Sequence, residues 1–238
     1  MFTAKPTGSS ALPPETDDAD LSAYREPGYE FDVSALVETQ RELDAVRPDD
    51  GGVRWVYAPG SVAFYAARDI DAPYDSFIQH VDIASVSRMF RGVRGCSTEV
   101  LQRDDYGRSR LQIERMAVLA QPSHSAYMAK RNLVYTLERM DYASHEHRAW
   151  IRTVHGPVTG EICEDGYLAL RRRPDGGVRI ALLTRQQFPV SSLLMLAGLD
   201  RCAWLKNRLS VNAFRCFFQR TVATIETGYA GPYLRLPY

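Results

Sequence analysis

With 238 residues, 45% of them hydrophobic and 24% charged, the chain has the size and composition of one substantial folded domain with an appendage. Lysines plus arginines and aspartates plus glutamates both number 29, so there is no excess positive charge to follow a phosphate backbone and no nucleic-acid partner is expected. The most hydrophobic run, Val190 to Leu199, is about half the length of a membrane span and no apolar stretch follows Lys5, so the expectation is a cytoplasmic protein with no stable membrane insertion. Cys96, Cys163, Cys202 and Cys216 have neither disulfide-framework, zinc nor iron–sulfur spacing, and the expectation is reduced thiols, no metal and no cofactor.

In chain order, residues 1–30 carry Pro6, Pro13, Pro14, Pro27 and the acidic stretch Asp17-Asp18-Ala19-Asp20, with too little apolar matter to fold alone. Residues 32–47 place Val33, Leu36, Val37, Leu43 and Val46 near helical spacing, with Asp32 or Ser34 as N-cap and Pro48 to Gly52 as the stop. The reading is an N-terminal tail with one amphipathic helix (1–52) and a ligand-binding domain (53–238). The helix is either a strap packed on that domain or a contact for a partner, a homodimer among them.

Two β-rich runs, 53–57 and 62–70, flank Ala58-Pro59-Gly60-Ser61 and predict a hairpin. Pro73 opens short helices over 74–80 and 83–90. Strands follow at about 95–104, 108–120, 123–139, 144–155, 161–173 and 178–188, joined by short turn-rich links such as Asp104-Asp105-Tyr106-Gly107, Met140-Asp141-Tyr142-Ala143 and Pro174-Asp175-Gly176-Gly177. Such links imply an antiparallel sheet. A long proline-free segment, about 191–227, reads as a C-terminal helix.

The segment Asp69-Ile70-Asp71-Ala72-Pro73-Tyr74-Asp75-Ser76-Phe77 resembles the start of many helix-grip proteins, the START, pollen-allergen-like and polyketide cyclase group (SRPBCC). Val93-Arg94-Gly95-Cys96 with Glu99 to Asp104 is similar to that superfamily's second strand, and Pro174 to Ile180 to its last hairpin. The resemblance implies an α+β fold, a seven-stranded antiparallel sheet wrapped around a long C-terminal helix with an internal cavity for an apolar small molecule. Its members include enzymes and pure binders, so the fold leaves function open. The cysteine and histidine pattern of the superfamily's iron-dependent oxygenases is missing from this chain.

Alternation along the strands sorts candidate cavity residues. Arg115 shares a face with Leu111, Ile113, Ala117 and Leu119, and Arg131 with Tyr127, Ala129, Leu133, Tyr135 and Leu137, each a lone charge on an apolar face. A guanidinium so placed needs an oxygen partner, so Arg115 and Arg131 are read as a clamp for a ligand carboxylate, phenolate or enolate, with structural pairing or snorkelling as the alternative. His147 is the candidate acid or base, and His145 beside it lacks a third ligand for a metal. Tyr65, Tyr127, Tyr135, Thr184 and Gln186 are candidate hydrogen-bonding positions in the wall. Together these features point to binding of an apolar, oxygen-bearing molecule, with cyclisation, aromatisation or related enolate chemistry in secondary metabolism, or a non-catalytic lipid or hydrophobic-metabolite carrier or sensor.

Overall fold

The computed structural model describes residues 31–58, 61–84, 93–118, 133–155, 163–187 and 203–230. Tyr127, Arg131 and the run Val190 to Leu199 lie outside the described residues.

Helix α1 (Val33–Asp44) starts where Asp32 Oδ1 accepts the Ala35 N–H at 3.0 Å, an N-cap that satisfies one of the orphan donors of the first turn. Strands β1 (Arg54–Ala58) and β2 (Ser61–Ile70) form the expected hairpin. Helix α2 (Tyr74–His80) follows Pro73 and buries Tyr74 and Phe77. Six further strands come next: β3 (Val93–Arg103), β4 (Ser109–Val118), β5 (Leu133–Ala143), β6 (Glu146–His155), β7 (Cys163–Arg172) and β8 (Val178–Gln187). Helix α3 (Ala203–Ala230) is the last element among the described residues.

The sheet is antiparallel throughout with the order β1-β2-β8-β7-β6-β5-β4-β3. Consecutive strands are neighbours except where the chain crosses from β2 to β3 through α2 and returns β8 beside β2, which is how a meander is wrapped around a helix. Its eighth strand, beyond the seven expected, is β1, added at the edge by the first hairpin. The tight turns are built as their residues predict: Asp104 Oδ1 accepts the Tyr106 and Arg108 N–H groups at 3.0 and 2.8 Å, and Gly107 takes φ +79°, a conformation costly for any residue with a Cβ. One boundary differs. Residues 140–143 continue β5 rather than turning, and the turn falls at Ser144 and His145; Met140 and Tyr142 have a buried apolar face to join, which outweighs the turn preference of Asp141.

Both faces of the sheet are covered. On the inner face Phe64, Met140, Ala149, Leu168, Leu170, Ile180 and Leu182 pack with Val211, Phe214, Phe218, Val222 and Ile225 of α3 and with Tyr74 and Phe77 of α2. On the outer face Ala63, Ile113, Tyr135, Leu137, Trp150, Tyr167, Ala169 and Leu183 pack with Leu36 and Leu43 of α1. The apolar side of α1, which the sequence offers to a dimer partner, is thus taken up by the sheet of its own chain. Tyr167 Oη donates to Gln40 Oε1 at 2.7 Å to fix the helix in place. Each buried leucine of α1 contributes on the order of 1.5–3 kcal/mol.

Candidate functional site

Register decides which side chains meet on the inner face of the sheet. Gln112 of β4 stands opposite Glu138 of β5, and Glu114 opposite Thr136. Gln112 points to the inner side, because its Nε2 donates to Ala84 O at 3.0 Å and Ala84 belongs to the inner core. Glu114 and Glu138 share that side, as alternation from Gln112 and Met140 requires. Both carboxyl groups are buried, Glu114 at 0% and Glu138 at 6% exposure.

Their surroundings are polar and specific. Gln112 Nε2 also donates to Glu138 Oε2 at 2.8 Å, while Ser109 Oγ donates to Gln112 Oε1 at 2.7 Å. Thr136 Oγ1 donates to Glu138 Oε1 at 3.4 Å, a long bond. Burial first, and the Glu114 charge second, raise Glu138 well above the usual carboxyl range; the Gln112 and Thr136 donors offset only part of this. Burial and the neighbouring carboxyl group thus favour the uncharged form of Glu138.

The same cross-strand row continues from Gln112 and Glu138 through Ile151 and Gly166 to Thr184. A Cβ at Gly166 would run into the backbone carbonyl oxygen of Leu183, so only glycine fits there. The neighbouring row holds Thr98, Glu114, Thr136 and Thr153. Beside the α2 end of the inner face sits a second polar group. His147 pairs with Tyr142 in register, their rings edge to face at 5.2 Å, and Tyr74 lies 6.3 Å away. Burial, then the Arg108 charge, lower the His147 value, against a smaller upward pull from Asp82, and leave the imidazole neutral at pH 7. His147 is four residues from Ile151 along β6, roughly 13 Å at about 3.3 Å per residue, so it does not reach the glutamate pair. Tyr142 Oη donates to Ser109 O at 3.0 Å and so connects the two groups through Ser109.

Of the residues singled out from the sequence, His147, Thr184 and Gln186 lie on the inner face. Arg115, Tyr135 and Tyr65 lie on the outer face, beneath or beside α1: the Arg115 guanidinium is 5.6 Å from the Tyr135 ring, and that of Arg54 is 5.8 Å from the Tyr65 ring. The expected inward placement of Arg115 is therefore corrected; the apolar residues around it face the α1 layer, and the glutamates of the alternate positions lie on the inner side of the sheet. The sequence reading followed the more apolar faces of these strands and singled out none of Gln112, Glu114, Thr136 and Glu138, which alternate with them. The signal that would have found them is the strap helix itself, which makes the more apolar face of β4 and β5 the outer one.

Also on the outer side, a recess of about 460 Å³ is lined by Tyr65, Asp69, Arg171, Arg173 and Arg179 among others. Its arginines meet carboxylates, Arg179 with Asp69 at 2.6 Å and Arg171 with Glu146 at 2.6 Å, and Arg173 with Asp175. It is an ion-paired surface layer, remote from the buried glutamates.

No family model matches the chain, and no curated protein matches it in sequence. Among solved structures, human STARD10 is similar at a TM-score of 0.50 and 12% identity, over 82% of this chain and 80% of that one. Human StAR-related lipid transfer protein 5 gives 0.48 and 11%, over 83% and 94%. The di-domain ARO/CYC StfQ from the steffimycin biosynthetic pathway gives 0.47 and 14%, over 82% and 55%. The antiparallel sheet, eight-stranded among the described residues and closed on a C-terminal helix, is a helix-grip fold, shared with STARD10. No helix among the described residues is long and apolar enough to cross a membrane.

Proposed function

We propose that the protein binds an apolar, oxygen-bearing small molecule between the inner face of the sheet and α3, and directs its cyclisation, aromatisation or related enolate chemistry. The observation that carries this reading is the buried Glu114–Glu138 pair, set in a row of hydrogen-bonding side chains on a face otherwise apolar. Burying two carboxyl groups side by side is expensive, and ionisable groups perturbed by burial and a neighbouring charge, as Glu138 is, cluster at sites of chemistry. A proton held at an apolar wall can stabilise the oxygen charge of an enolate without metal or cofactor.

Native mass spectrometry of the protein as purified tests the reading, followed by uptake of neutral apolar ketones in solution. A retained or exchangeable small molecule supports it. A protein that carries none and takes up none would refute it, and binding without any conversion across a panel of enolisable ketones would leave a carrier in place of an enzyme.

A further inference from the structure

We propose that the recess on the outer side of the sheet binds a phosphate group, carried by a soluble phosphomonoester or by a lipid headgroup, between Arg171, Arg173 and Arg179. The site is separate from the inner face and does not depend on what binds there.

Register puts the charge in place. Glu146, Arg171, Arg179 and Asp69 stand opposite one another in a single row across β6, β7, β8 and β2, so the two central positions are both arginines. Like charges directly opposite on neighbouring strands repel. The carboxylates that relieve them lie at the two ends of the row: Arg179 Nε and Nη2 donate to Asp69 at 2.6 and 2.9 Å, and Arg171 Nε meets Glu146 Oε2 at 2.6 Å. Glu146 is shared with Arg148, and Asp69 with Arg173 at 3.7 Å, while Arg173 also meets Asp175 and Arg172 meets Asp75. Five guanidiniums thus share four carboxylates, and the row has none between Arg171 and Arg179.

The same ion pairs make the arginines a prepared site. A guanidinium is planar with five N–H donors; the Asp69 fork occupies the Nε and Nη2 edge of Arg179 and leaves Nη1, on the opposite edge, for another acceptor. Side chains already held by carboxylates lose little further freedom when an anion arrives. Arg171, Arg173 and Arg179 all reach solvent and line the recess with Tyr65 and Asp69. Its volume of about 460 Å³ exceeds that of a phosphate ion, so the group that carries the phosphate has room as well. Three arginines suit the three terminal oxygens of a phosphomonoester better than the two of a carboxylate.

The test is calorimetric titration of the full chain at low ionic strength with phenyl phosphate, and with isophthalate as an aromatic dicarboxylate of similar charge. Wild type should bind phenyl phosphate about fivefold or more tightly than isophthalate. Arg171→Lys and Arg179→Lys keep the charge but lose the planar fork, and each should weaken phenyl phosphate about five- to tenfold. Arg173→Lys replaces either variant that does not fold. Arg68→Met, which removes an exposed arginine outside the recess, should stay within about twofold of wild type. Sedimentation with phosphatidylcholine vesicles containing phosphatidic acid separates the two sources. Co-sedimentation that phenyl phosphate displaces assigns the headgroup; phenyl phosphate binding without it, or without displacement, assigns a soluble ester. No binding of phenyl phosphate, equal affinity for isophthalate, or a loss in Arg68→Met as large as in the lysine variants would overturn the site, and would leave the reading of the inner face untouched.

Discussion

Arg215 of α3 and Asp49 of the loop after α1 meet at 2.6 Å, tying together the two helices that cover opposite faces of the sheet. Asp49 is the hub of that loop, since its Oδ1 also accepts the Gly51 and Val53 N–H groups at 2.9 Å. The Arg215 guanidinium lies over Gly51 so closely that a Cβ there would collide with it.

Removing the Asp49 carboxylate by Asp49→Ala is expected to cost about 1–3 kcal/mol, because two backbone donors and a guanidinium lose their acceptor together. Arg215→Met should cost about 1 kcal/mol or less, the side chains being 31% and 27% exposed and the pair accordingly screened. Urea unfolding midpoints check both. Burial pushes the Asp49 carboxyl up, but the Val53 and Gly51 N–H groups and Arg215 outweigh it and hold it below its ordinary value. The advantage of wild type over Asp49→Ala should therefore be present above about pH 4 and fade as pH falls through the depressed folded value.

For Glu138 the sign is reversed. Its folded value lies above the unfolded one, so its contribution to stability is full below the ordinary carboxyl value, near pH 4–5, and is lost as pH rises toward the raised folded value. Unfolding free energies of wild type and Glu138→Gln across pH should converge at the acid end and separate in favour of the variant on the alkaline side. Parallel curves would show that Glu138 titrates at the same value in the folded and the unfolded chain.

Deleting residues 1–52 tests the division of the chain into tail and domain. Composition suggests that this segment is dispensable, whereas the packing predicts a loss. Without α1 the outer face loses the cover given by Leu36 and Leu43, exposed at 1% and 0%. The shortened chain is expected to melt earlier and to bind more of an apolar dye than the full chain. Leu36→Ala and Leu43→Ala should each cost about 2–5 kcal/mol.

Arg115→Met separates the two faces functionally. The side chain sits over Tyr135 on the outer side, so affinity for a neutral apolar ketone at the inner face should stay within about twofold of wild type, measured by titration in native mass spectrometry. A tenfold loss would return Arg115 to the site.

Gly166→Ala should destabilise by about 1–3 kcal/mol or more, measured as a fall in melting temperature, because the added methyl has only the β8 backbone to displace.

Local chemistry was legible from the residues alone. Asp32 as a cap, Pro73 opening a helix, Asp104 to Gly107 and Pro174 to Gly177 as turns, and the β1–β2 hairpin around Pro59 are all decided within a few residues, and the order of elements they punctuate leads to the helix-grip sheet. The two side-chain sets of each strand were legible too, since alternation is a property of the strand itself.

Which set faces inward was not. A sheet with one wet face announces its core by polarity, but here α1 and α3 cover the two faces, so both carry apolar residues and the lone arginine of β4 stood on the more apolar one. Glu114 and Glu138 are separated along the chain and become neighbours only through the β4–β5 register. Composition and periodicity thus determined the elements and their succession. Only the packing of a strap helix on one face of the sheet, against the gripped helix on the other, decided that two glutamates lie in the interior and that the arginine lies outside.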